Sequence, residues 1–195
     1  MRFRQVFFFV AVFSLMMSGL NPSAHADSWR PPKPTVTYES AALDARFIVT
    51  SSGRSDTLFA CSGTMYLKET GNSDWTKTWS KPLQNRLSPV TVLVANGGWR
   101  VITFDNYYSV GYGDEVVVFY DEKGELLKKH SLESLLSETE LKQVPRSVSS
   151  RWWRSKATLD ESLGLLKVEV AQRQNQQRWT KAILFNLIDG EIIPR

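Results

Sequence analysis

The sequence predicts a mainly β domain built of antiparallel four-stranded meanders, with one short helix. Three observations point there. Short apolar or alternating runs rich in Val, Ile, Thr and Phe follow one another from about residue 45 to the end. Glycine-, asparagine- or aspartate-containing turns such as NGG, EKG and DG separate several of them. Helical spacing is confined to SLESLLSETELKQV, where Ser131 serves as cap, Leu132, Leu135, Leu136 and Leu141 form an apolar side, and Pro145 stops the helix.

The first 26 residues carry Arg2 and Arg4, then VFFFVAVFSLMM, then SAHA, the charge, apolar core and A-x-A end of an export signal. A signal peptide over 1–26 is therefore expected, with cleavage leaving Asp27 first. The apolar run is shorter than the roughly 20 residues of a transmembrane helix. No transmembrane segment is expected after cleavage, and the mature chain should be soluble. Cys61 is the only cysteine, so no internal disulfide forms and no cysteine at the cleavage point carries a lipid. Its apolar surroundings, TLFACSGTMYL, mark it as a buried small hydrophobe. With no N-x-S/T site either, the chain reads as periplasmic or secreted and bacterial.

Removing 26 of 195 residues leaves 169, enough for one domain with an ordinary core. Removing Arg2 and Arg4 from 24 basic residues leaves 22 against 20 acidic ones, a net of +2. The basic residues are scattered without a stripe, so nucleic acid is not an expected partner. Residues 27–37 hold Pro31, Pro32 and Pro34 and read as a proline-rich extended arm. Residues 38–195 form the single β-rich domain. Its strands are RFIVTSS, TLFACSGTMYLKE, DWTKTWSKPL, PVTVLVA and WRVITFDN across NGG, EVVVFYD and ELLKKHSL across EKG, then GLLKVEVAQ and RWTKAILFNL flanking RQNQQ. The core supply from these runs is Val92, Val94, Val101, Ile102, Phe104, Val116, Val118, Val168, Val170, Ile183 and Phe185.

The stretch ANGGWRVITFDN followed by VVVFYDEKGEL resembles the blade pattern of β-propeller proteins, as in small exported bacterial proteins of unassigned function. The resemblance is good over residues 90–131 and weaker over 147–194. It implies a fold element and no activity. Propellers close with four to eight blades of about 40–45 residues, and 169 residues supply about three and a half at most. Two to three blade-like sheets in an open stack or sandwich are expected instead.

His130 is the sole histidine of the mature chain, which rules out a histidine metal cluster and leaves any Ser-His-Asp triad with one candidate base. No G-x-S-x-G turn accompanies it, and it reads as a strand-end residue before the Ser131 cap. No cofactor and no metal are expected, and on these counts the chain reads as non-enzymatic rather than catalytic.

Two segments carry binding chemistry. FDNYYSVGYGDE, residues 104–115, is longer than the two to five residues of a usual hairpin connection. In it Tyr107, Tyr108 and Tyr112 offer flat faces suited to sugars or peptides, and Asp105, Asn106 and Asp114 offer oxygens for a polar ligand or a cation. The bland alternative has Asp105 and Asn106 capping the strand end while the tyrosines pack the loop down. In RSVSSRWWR, Trp152 and Trp153 with Arg154 could stack on a ligand or meet an anionic surface, or else one tryptophan is core and the other rim. The function expected is an exported module that binds an envelope protein or a small polar ligand. The alternatives are an envelope hydrolase using carboxylates such as Asp105 and Asp114, and a structural or assembly subunit pairing through a sheet edge.

Overall fold

The computed structural model describes residues 29–51, 61–69, 71, 74–174 and 177–194. The expected signal peptide over 1–26 lies outside the described residues. Three antiparallel sheets follow one another along the chain. The first is a meander of β1 (Thr35–Glu39), β2 (Ala45–Ser51), β3 (Cys61–Lys68) and β4 (Trp75–Pro82). The second is a meander of β5 (Pro89–Val94), β6 (Val101–Asn106), β7 (Val117–Tyr120) and β8 (Leu126–His130). The third holds β9 (Arg154–Asp160), β10 (Leu165–Gln174) and β11 (Gln177–Asn186), with a further bridge between Phe185 and Ile192. β1 begins at Thr35, inside the stretch that the sequence reads as an arm.

The two inner strands of the middle sheet, β6 and β7, are covered on both faces, and their sequence shows why. Strands with one wet face alternate, whereas VITF of β6 and VVFY of β7 are almost wholly apolar, the signature of a strand buried on both sides. Side chains point alternately to opposite faces. Val101 and Val118 thus join Ala45, Phe47, Val49 and Met65 of the first sheet, while Ile102, Phe104, Val117 and Phe119 join Leu166, Val168, Val170 and Phe185 of the third. Every core position expected from the sequence is buried. In the outer sheets the alternation returns, as in β2, where Ala45, Phe47 and Val49 are buried and the residues between them are half-buried. Gly63 lies across from Val49, and a Cβ there would stand 2.2 Å from Phe47 Cζ, so only glycine leaves room for that ring.

Polar contacts tie the three sheets at one end. The NGG segment expected to make a tight hairpin turn forms a 3₁₀ turn, Asn96–Gly98, with Gly97 and Gly98 at φ 63° and 66°. Asp44 accepts from Gly97 N at 2.9 Å and Asn96 Oδ1 from Ala42 N at 2.8 Å, which joins the first sheet to the second. Glu161 accepts from Asn96 N and from Trp99 Nε1, both at 3.1 Å, which joins the third.

The single helix expected over SLESLLSETELKQV is two: α1 (Leu132–Leu135) and α2 (Glu138–Gln143). Ser131 caps the first as expected. Ser137 then accepts from Glu140 N while Glu140 reaches back to Ser137 N, a capping box that starts a new helix in mid-segment. Leu132, Leu135, Leu136 and Val144 pack on the core shared by the second and third sheets. Among the described residues no helix is long and apolar enough to cross a membrane.

Candidate functional site

The connection from β6 to β7 is shaped by a buried acid. Asp105 is 1% exposed and sits at φ 57°, a left-handed conformation that aspartate tolerates better than most residues. Its Oδ1 accepts from Trp153 Nε1 at 2.9 Å and from Gly111 N at 2.8 Å. Its Oδ2 lies 3.8 Å from Arg154 Nη2. Burial pushes the carboxyl above the usual carboxylate range, against the pull of Trp153, Gly111 and Arg154. Gly111 is at φ 72°, and a Cβ there would come within 2.8 Å of the Arg151 backbone oxygen, so the close approach of the two segments requires glycine. Arg151 N donates to Val110 O at 2.9 Å beside it.

Asn106 is spent in the same way. Its Oδ1 accepts from Arg86 N at 2.9 Å, and its Nδ2 donates to Glu115 Oε2 at 3.3 Å. Arg154 covers Phe104, 4.4 Å from the ring centroid, and donates to Thr91 Oγ1 at 3.1 Å. Burial lowers the pKa of Arg154, with Asp105 opposing. Asp105, Asn106, Trp153 and Arg154 thus face inward and knit β5, β6 and β9 together.

The other sequence-derived candidates face outward. Tyr108, Tyr112 and Trp152 are 37%, 36% and 42% exposed, Tyr107 is half-buried, and Asp114 is exposed with Lys129 at 3.5 Å. Tyr107 and Tyr108 meet edge to face at 5.6 Å. Both meet Trp29, at 5.0 Å and 6.0 Å, and Trp152 stacks on the same Trp29 at 5.8 Å with 14° between planes. Trp29 belongs to the proline-rich arm, and sequence reasoning did not select it. The available signal was a tryptophan among prolines, with no neighbouring apolar residues of its own to pack against.

Arg151 lies over the Tyr112 ring at 4.3 Å and pairs with Glu133 at 2.5 Å. Burial works against its charge, but Glu133 and Tyr112 outweigh that and raise its pKa. The backbones of Arg151 and Arg146 form an isolated antiparallel β-bridge, and the two residues line a shallow cleft of about 220 Å³ with Glu138, Leu141 and Lys142. Among the described residues no group of three or more His, Cys, Asp or Glu side chains is placed to hold a metal. His130 ends β8, with Nε2 at 2.7 Å from Gly190 O and its ring against Phe185.

The arrangement offers a rigidly held aromatic face with hydroxyl and indole edges, suited to stacking on flat or extended ligands. No family model matches the chain, and no curated protein or solved structure shows significant similarity to it.

Proposed function

We propose that this protein is an exported, non-enzymatic β-repeat module of a bacterial envelope, which binds a protein or small polar ligand on the face made by Tyr107, Tyr108 and Trp152. The observation that carries the reading is the convergence of two segments distant in sequence, 104–115 and 151–154, onto one aromatic surface. Beneath that surface the Asp105 hub fixes both segments, as binding groups on loops need a rigid support. Export rests on the A-x-A pattern that ends at Ala26. The sheets are read as blade-like repeats on the strength of their four-stranded meanders and the D-x-x-G turn at Asp121–Gly124.

The inward placement of Asp105 favours binding over hydrolysis, since its carboxylate is already engaged by two donors and shielded from solvent. The test is retention of a partner from envelope extract or on a glycan array by the wild type and by Tyr108→Ala and Trp152→Ala. Loss of retention in both variants, with melting temperatures unchanged, is the expected result. Retention unaffected by both substitutions overturns the reading.

A further inference from the structure

The aromatic face already has an occupant. Trp29 stacks on Trp152 and meets Tyr107 and Tyr108 edge on, so one indole from the arm touches all three rings. The arm that delivers it, Trp29 to Pro34, runs without regular secondary structure up to β1, and Pro31, Pro32 and Pro34 restrict it to extended conformations. Pro34 is anchored, its carbonyl accepting from Ser51 N at 2.8 Å. Between these two points Arg30, Pro31 and Lys33 are exposed, and Pro32 is half-buried. The enclosed Trp29 Nε1 has no hydrogen-bond partner among the described residues, so the contact leaves one polar group unsatisfied.

We propose that the Tyr107, Tyr108 and Trp152 face is a docking surface for an extended, proline-rich peptide led by a tryptophan, with Trp29 as its resident occupant, displaced when a partner peptide of that chemistry binds. The proposal rests on the reading of this face as the contact surface. Aromatic grooves suit such segments because a proline-rich chain is extended before it binds and loses little conformational freedom on docking. The cis arm competes at the effective concentration of a short tether, on the order of millimolar, so a partner must out-bind it or exploit the missing hydrogen bond at Nε1.

The probe is a fluorescein-labelled peptide, WRPPKPT, with the sequence of Trp29–Thr35, read by anisotropy against the full-length chain. Trp29→Ala, with its face vacated, should bind the peptide saturably, and the wild type about tenfold or more weakly. Binding should vanish when alanine replaces the peptide's tryptophan, and when Trp152→Ala is added to Trp29→Ala. Equal binding to wild type and Trp29→Ala overturns the proposal, as does no binding to a Trp29→Ala protein that melts cooperatively. If Trp29→Ala does not fold, wild-type protein labelled with fluorotryptophan replaces it: excess peptide should shift the fluorine signals of Trp29 and Trp152, and unmoved signals overturn the proposal. Failure of the peptide to bind while Trp152→Ala still abolishes partner retention sinks this inference alone. Retention indifferent to Trp152 and Tyr108 sinks the broader reading.

Discussion

Trp153 donates its indole N–H to the Asp105 carboxylate over 2.9 Å, joining the end of β6 to the start of β9 through two fully enclosed side chains. Removing the acid leaves the Trp153 and Gly111 N–H groups unpaired and Arg154 without its counter-charge. Each orphaned donor costs about 1–3 kcal/mol, and removing one partner of a buried ion pair costs about 3–5 kcal/mol. Asp105→Ala should therefore lower stability by at least about 3–5 kcal/mol in urea denaturation. Asp105→Asn keeps an acceptor and tolerates the left-handed backbone, so it should cost clearly less. Equal costs for the two would show that Oδ1 is not the hub.

The two faces of the middle sheet can be probed separately. Val118 belongs to the core shared with the first sheet and Phe104 to the core shared with the third. Each is fully buried, so truncation to Ala should cost about 2–4 kcal/mol. A cost near zero at both positions would contradict the three-layer packing.

His130 makes stability depend on pH. Burial lowers its pKa below the ordinary value near 6.5, with the Gly190 carbonyl opposing, so the folded state prefers the neutral ring. A depressed folded pKa contributes stability that is complete above the unfolded value and is lost as pH falls through the folded one. The melting temperature should therefore fall as pH drops below about 6.5, and His130→Asn should flatten that part of the profile. An identical slope in the variant would assign the loss to other groups.

Cys61 should be chemically silent while the protein is folded. Burial pushes its thiol up to about 12, which leaves almost no thiolate at neutral pH. Iodoacetamide should label it only after denaturant unfolds the chain. Rapid labelling of the native protein would mean that the first sheet opens readily at the start of β3.

The strands and core were legible because burial leaves a mark on the sequence: an apolar run in β7 and in VITF of β6, alternation in β2. The helical segment was legible in place and type but not in its break, since the Ser137–Glu140 capping box interrupts a spacing that otherwise suits one helix. The site was legible in composition alone. Asp105 at the end of β6 and Tyr108 just beyond it are close neighbours in sequence, yet one is enclosed and the other open, because the left-handed turn at Asp105 sends its carboxylate to Trp153. The pairing of Trp29 with Trp152 spans 123 positions (152 − 29), and no local pattern encodes a contact between rings so far apart in the chain.

The sandwiched position of the second sheet has a consequence for how backbone amides exchange with deuterated water. β6 and β7 lie beneath a layer on each side, so their amides should become accessible only when the whole molecule opens. β1 and β9 each lie at the edge of an outer sheet with alternate residues in solvent, and can detach while the other layers stay closed. Exchange should therefore be faster in the edge strands β1 and β9 than in the middle sheet, with the slowest amides at Ile102–Phe104 and Val117–Phe119.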